Sequence, residues 1–385
     1  MKVAVVGLGV LGASAARALT LAGAEVTVFE REAPLAGTSG TSFAWVNSHS
    51  KNPRAYHDLN VAGMAEHAAL AEDPGPNRPW LAQTGNLEWA ADGTGIERLS
   101  AAVAELRARD YPVEWISPRR ARELAPDLRV PDTDIAFFPT EGHLNPALLM
   151  ARLWGEARAN GARLRRAEVT AIGESGGKAS LELADGIHEA DAVVMAAGRW
   201  TEALSTTTGH RVPVADPEAP GSATVGLLGY TAPVPTRLNL VLTTPVLNVR
   251  PEGGGRLVVQ GLDLDADADP ADPPSVGGEH AAELCRRLGD LLAGAADARL
   301  ESLRVGQRSV PADGLTVAGF LDQGSRIYAL CTHSGITLAP LLGRLAAQEV
   351  VTGSPAEQLH GFRPQRLVGA GDLPPLRPAR FAGQQ

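Results

Sequence analysis

Apolar and polar positions fall into clear blocks over the first thirty residues. After Lys2 comes a short apolar run to Val6, suited to a strand buried on both faces. Leu11 to Ala22 repeats apolar residues at helical spacing, with Leu11, Ala15, Ala18, Leu19 and Ala22 on or near one face. Gly23 stands where such a helix ends. Glu25 to Phe29 returns to β-formers and closes on Glu30. Between the first strand and the helix lies GLGVLG, which sets Gly7, Gly9 and Gly12 in a G-x-G-x-x-G spacing.

Further along, Asn145 can cap a helix that has Pro146 at its first position, and Asn160-Gly161 can stop it. From Gly335 the spacing of Ile336, Leu338, Leu341, Leu342, Leu345 and Ala346 predicts a buried helix ended by Gly353. LNLVLTTPVLNV and GRLVVQGL read as strands of a sheet, with PEGGG as the turn. Trp80, Trp89, Trp115, Phe137 and Phe138 are expected in the core. The acidic run DLDADADPAD (263–272) lacks the glycine and closing glutamate of a calcium loop, with Ala268 and Pro274 in those places, and is expected to be a solvated loop.

A chain of 385 residues, 44% of them hydrophobic, is long enough for two domains and buries a substantial core. The net charge is -9, and the lysines are Lys2, Lys51 and Lys178 alone. Clustered cations are missing, which argues against a nucleic-acid partner. Cys285 and Cys331 lie far apart in no metal-type spacing, as expected in a reducing cytoplasm without a metal site. No apolar run is long enough to span a membrane, and a first strand at Lys2 leaves no room for a signal peptide.

The glycines sit between a strand and a helix, the context that dinucleotide binding requires. Gly7 permits the tight turn, Gly9 lets a pyrophosphate approach the backbone, and Gly12 with Ala16 lets helix and strand pack closely. The helix N-terminus presents free N–H groups to phosphates. Glu30 can accept from ribose hydroxyls and would repel a 2′-phosphate, which disfavours NADP. This unit alone does not separate NAD from FAD.

The rest of the chain resembles the FAD-dependent D-amino-acid oxidase and glycine/sarcosine oxidase superfamily nearly end to end. The long fingerprint of Gly7, Gly9, Gly12, Ala16, Leu19, Gly23, Val26 and Glu30 is the form typical of these flavoproteins. GHLNPALLMARLWGEARANGARL is similar to the family's helix and following strand, with a backbone contact to FAD near Val169. ADAVVMAAGRW resembles its strand and Ala-Gly loop, RSVPADGLTVAG (308–319) its arginine-turn segment, and THSGITLAPLLGRLAA (332–347) its closing loop and helix beside the flavin. The resemblance implies an α/β fold: a discontinuous Rossmann-like FAD-binding domain from 1–80, 140–212 and 303–385, with an inserted antiparallel-sheet substrate domain from 81–139 and 213–302.

It also implies FAD contacts from Gly7, Gly9, Val10, Leu11, Gly12, Glu30 and Arg31, from Val169, Ala197, Gly198 and Trp200, and from His333, Ser334, Gly335, Ile336 and Thr337. In GTSGTSFAWVNSHSK (37–51), Thr38, Ser39, Thr41 and Ser42 can donate to phosphates or to the flavin ring. Phe43, Ala44 and Trp45 are too apolar for a surface loop and are expected beside the cofactor. His49 is a candidate flavin or substrate contact or covalent anchor, set against a plain hydrogen-bonded histidine, and Lys51 falls near the flavin face by resemblance, set against a surface lysine. Arg308 is the candidate fork for a substrate carboxylate.

No Ser-His-Asp, H-E-x-x-H or C-x-x-C arrangement stands out, as expected where a flavin carries the chemistry. The family's reaction passes a hydride from an amine carbon to the flavin, giving an imine that water hydrolyses. The expected partners are an amino acid or secondary amine and an electron acceptor, oxygen or a carrier, with homo-oligomerisation left open. Ile336 and Thr337 stand where several members have a second cation, which leaves room for a larger or N-substituted amine. The rival readings are a monooxygenase or reductase using NAD(P)H, for which a second fingerprint is missing, and a non-catalytic flavin-binding subunit.

Overall fold

The apolar run after Lys2 forms the strand Lys2–Val6, and its residues point alternately into two cores. Val3 and Val5 join one buried cluster, Ala4 and Val6 another. The computed structural model describes residues 1–73, 79–367 and 376. Lys2–Val6 lies inside a six-stranded sheet in the order Val317–Phe320, Ile327–Cys331, Ala192–Met195, Lys2–Val6, Glu25–Glu30, Arg163–Arg166. Every junction is parallel except the outermost, between Val317–Phe320 and Ile327–Cys331. A parallel sheet must be covered on both faces. Here the helices Val10–Leu21, Pro146–Ala159 and Gly335–Thr352 cover one. A three-stranded antiparallel sheet, Ala171–Ser175, Lys178–Leu183 and Gly186–Ala190, packs on the other.

The expected local signals are where the chain places its ends. The Asn145 side chain accepts from the N–H groups of Ala147 and Leu148 at the start of Pro146–Ala159. Gly353 closes the last long helix with φ +71°, in the left-handed region that glycine enters without strain. Helices Val10–Leu21 and Gly335–Thr352 meet backbone to backbone: a Cβ on Gly343 would lie 2.5 Å from the Ser14 carbonyl carbon.

The second large sheet has eight strands, in the order Leu300–Gln307, Val225–Thr231, Arg256–Gln260, Asn248–Gly253, Val241–Thr243, Asn86–Glu88, Ile135–Phe138, Glu114–Ile116. It is antiparallel at each junction but one, because Val241–Thr243 runs parallel to Asn86–Glu88. That seam joins strands from the two insertions, which reach it from distant parts of the chain. One face packs on the amphipathic helix Glu279–Leu291 through Leu284, Leu288 and Leu291. The last strand continues to Gln307, past the boundary drawn at residue 303, and so delivers Arg308 to the edge where the two sheets approach.

Candidate functional site

The glycine loop is locked by its own backbone. Gly7 has φ +98° and donates its N–H to the Phe29 carbonyl at 2.8 Å. A Cβ on Gly7 would lie 2.5 Å from the Ala196 oxygen, and one on Gly12 2.0 Å from the Gly7 oxygen. Glu30 ties the loop to the second strand: its carboxylate accepts from Leu8 N–H at 2.8 Å and from Glu32 N–H at 2.9 Å. The helix that follows has no side-chain cap at Gly9, although Ser39 Oγ accepts from Val10 N–H at 3.2 Å. Its first turn therefore opens into a cleft of about 560 Å³.

Helix Gly335–Thr352 opens into the same cleft, again without a side-chain cap. Tyr56 donates to Ser334 Oγ at 2.8 Å and fixes the turn ahead of it. On the Glu30 side, two guanidinium groups stack over the Trp200 ring, Arg31 at 4.0 Å and Arg199 at 3.9 Å from its centroid. Two helix N-termini, a loop without room for side chains and apolar walls from Val10, Leu11, Phe43 and Ile336 fit a dinucleotide that carries a flat, polar-edged ring.

The segment from Ala44 to Lys51 is buried except at the half-buried Trp45 and Ser50, and twice enters the left-handed region, at Ala44 (φ +55°) and Ser50 (φ +54°). The second reversal separates its neighbours. Lys51 lines the cleft, whereas His49 turns behind the wall and does not. His49 Nε2 lies 3.1 Å from Glu88 Oε2 and its ring packs on Phe138, with centroids 4.5 Å apart. The structure thus removes His49 from the place expected of a flavin or substrate contact. Burial pushes its pKa down to about 3, helped by Arg98 and Lys51. Burial also lowers Lys51 to about 7, opposed by the attraction of Glu141.

Glu141 is the centre of this buried cluster. Its carboxyl oxygens take hydrogen bonds from Tyr111 Oη at 2.8 Å and Trp45 Nε1 at 3.0 Å. Burial raises it to about 8 and raises Glu88 to about 7, with Arg98 pulling Glu88 the other way.

The eight-stranded sheet supplies the opposite wall, including Leu228, Asn248, Gln260 and Leu262. Arg308 lines it but is engaged: its guanidinium lies 3.3 Å from Asp265 Oδ2 and donates to the Ala223 carbonyl at 3.1 Å. Asp265 also accepts from Leu227 N–H at 2.7 Å and Gln260 Nε2 at 2.8 Å. The acidic run is therefore not simply a solvated loop. Asp265 turns inward because a buried strand edge and a guanidinium supply the donors that water would otherwise provide.

Of the residues singled out in the sequence, Gly7, Gly9, Val10, Leu11, Glu30, Arg31, Thr38, Thr41, Ser42, Phe43, Ala44, Lys51, Val169, Ala197, Gly198, Trp200, Arg308 and the stretch His333 to Thr337 all line the one cleft. Gly12 lies beneath the loop rather than on its surface. Sequence reasoning missed Asn47, Asn248 and Gln260 on the walls and Glu141 and Asp265 behind them. Asp265, in its conspicuous acidic run, and Asn47, within the stretch 37–51, had a signal in the chain.

A family model described as FAD dependent oxidoreductase matches residues 2–349. The chain is 29% identical over 396 residues to the tRNA 5-methylaminomethyl-2-thiouridine biosynthesis bifunctional protein MnmC of Thiobacillus denitrificans, covering 95% of this chain and 59% of that protein. It is 25% identical over 384 residues to 4-methylaminobutanoate oxidase (formaldehyde-forming) of Paenarthrobacter nicotinovorans, covering 96% and 46%. It thus spans about half the length of these two relatives. Against glycine oxidase of Geobacillus kaustophilus the identity is 25% over 376 residues, covering 95% of this chain and 97% of that one. A crystal structure of glycine oxidase from that species has the same fold, with a TM-score of 0.80 at 24% identity over 94% of this chain and 98% of the other.

Proposed function

The chain belongs to the family of FAD-dependent oxidoreductases, and from that premise we propose that it oxidises the C–N bond of a carboxylate-bearing amine, an amino acid or a secondary amine, in the cleft between its two large sheets. FAD, when bound, takes up the hydride that leaves the carbon next to nitrogen. The observation that carries the reading is the meeting of two uncapped helix N-termini and a buried lysine in one cleft.

Gly7 to Gly12 and the start of Val10–Leu21 hold the pyrophosphate, and Glu30 the ribose. Arg31, Val169, Ala197, Gly198 and Trp200 flank the nucleoside end. Thr38, Thr41, Ser42, Phe43 and Ala44 pass along the ring, and His333, Ser334, Gly335, Ile336 and Thr337 meet its polar edge. There the partial positive charge of the Gly335–Thr352 N-terminus favours the electron-rich form. Lys51 takes the substrate carboxylate. It is buried in the cleft lining, whereas Arg308 is committed to Asp265 and Ala223. In this reading 1–80, 140–212 and 303–385 form the flavin domain, and 81–139 with 213–302 the substrate domain.

No helix among the described residues is long and apolar enough to cross a membrane, and Cys285 and Cys331 are both free. Reduced, unpaired thiols support a cytoplasmic enzyme in this reading. Anaerobic mixing of the flavin-loaded protein with a panel of amines, watched at the flavin band, tests the function. Bleaching by at least one carboxylate-bearing amine is expected. Bleaching by NADPH alone, with none by any amine, would make it a reductase or monooxygenase instead.

A further inference from the structure

Asn248 is a polar side chain in the cleft wall whose amide oxygen is left unpaired among the described residues. It is 4% exposed, it lines the cleft, and its Oδ1 has no hydrogen-bond partner among the described residues. Side chains two apart on a strand share a face. Arg250, two residues on, sends its guanidinium to the Phe43 and Ser42 carbonyls, so this face of the strand is turned towards the segment that lines the cleft. Directly across the ladder, Gln260 spends its amide on Asp265, which in turn holds Arg308. The neighbouring polar groups are thus paired with one another, and Asn248 is left over. On the other wall Asn47, 5% exposed, likewise has an unpartnered Oδ1.

A buried amide oxygen without a donor is costly, and a ligand that brings the donor recovers that cost. We propose that Asn248 forms a second polar subsite, which recognises a hydrogen-bond-donating group on the nitrogen substituent of a carboxylate-bearing secondary amine. The proposal rests on the function given above, with the carboxylate at Lys51. Lys51 and Asn248 come from different layers of the fold, so a substrate that reaches both has a polar group at each end and its C–N bond between them. A simple amino acid fills one end only.

Two isosteric pairs test this. N-(2-hydroxyethyl)glycine and N-propylglycine differ by a terminal hydroxyl against a methyl, and (2-hydroxyethylthio)acetate and (propylthio)acetate repeat the contrast without an oxidisable C–N bond. Binding of the thioethers to the flavin-loaded protein is read by calorimetry, and flavin reduction by the amines in stopped flow. A site built to pair a hydroxyl should prefer the hydroxyl member of each pair by about tenfold or more. Asn248→Leu should abolish or reverse the preference, and Asn248→Ser should restore part of it. Equal affinities in the unsubstituted protein, a preference that survives Asn248→Leu, or no binding of either thioether overturns the subsite. Should the variants fail to fold, the pair comparison on the unsubstituted protein still decides. An enzyme bleached by other amines but indifferent to the pairs loses the subsite alone, whereas one bleached by no amine loses the proposed function.

Discussion

Arg308 and Asp265 face each other at 3.3 Å on the sheet wall of the cleft, and the same carboxylate holds Leu227 N–H and Gln260. The guanidinium that the sequence offers to a substrate is therefore part of the wall. Removing it leaves Asp265, whose side chain is 13% exposed, without its counter-charge. Arg308→Met is expected to cost about 2–4 kcal/mol of stability, as for breaking a largely buried pair. Adding Asp265→Asn should recover much of this loss in urea unfolding. A loss that the second substitution leaves unchanged would mean the pair is not what Arg308 contributes.

Lys51 carries the contrasting prediction. Lys51→Met should retain flavin but weaken binding of (propylthio)acetate by about tenfold to a hundredfold, the scale of losing one partner of a desolvated charge pair. The free ammonium deprotonates as pH rises through about 7, so affinity for the anion should fall above that pH and the fall should vanish in the variant. Calorimetry at pH 6 and pH 9, roughly one to two units either side, reads both. Unaltered binding in Lys51→Met would return the carboxylate to Arg308 or to His333.

Gly12 tests the cofactor loop without touching its surface. A Cβ there would sit 2.0 Å from the Gly7 oxygen and 3.0 Å from the Gly7 carbonyl carbon. Both are backbone atoms of the loop itself, and the Gly7 N–H is already held by Phe29. Gly12→Ala should purify with little flavin and a lowered melting temperature. A fully yellow Gly12→Ala protein would show that the loop can shift without losing the cofactor.

Much of this was legible because the signals are local. The strand, glycine loop, helix and acid of residues 2–30 follow from periodicity and spacing, as do the Asn145 cap and the Gly353 stop. The walls of the cleft were harder. His49 and Lys51 are two residues apart and read alike in the sequence, yet the left-handed turn at Ser50 sends one behind the wall and the other into it. Asn248 and Glu141 meet the site only through strand order, including the parallel seam between Val241–Thr243 and Asn86–Glu88. No pattern within one segment encodes which distant strand becomes its neighbour.

The buried acids behind Lys51 make the last prediction, one of stability against pH. Glu141 is fully buried and held up to about 8 from an ordinary value of 4.5, chiefly by burial. An acid whose folded pKa is raised contributes its stability below the unfolded pKa and loses it as pH climbs through the folded one. Around Glu141, Glu88 acts in the same direction, while His49 and Lys51, both lowered, act in the opposite one, and Tyr111, raised well above its usual value, stays neutral throughout. The difference between two proteins that share those groups isolates Glu141. Glu141→Gln keeps the shape of the neutral acid: its oxygen can accept from Trp45 Nε1, and its amide can donate to Tyr111 Oη once that hydroxyl, which donates to Glu141 in the unsubstituted protein, turns to Met64 Sδ. Relative to the unsubstituted protein, the variant should be no more stable at pH 5. It should gain steadily as pH rises from about 4.5 to about 8, by up to about 4 kcal/mol. Urea midpoints at three pH values across that window measure it. A difference that stays flat with pH would show that Glu141 is ionised throughout, paired with Lys51 more closely than their placement on either side of the wall implies.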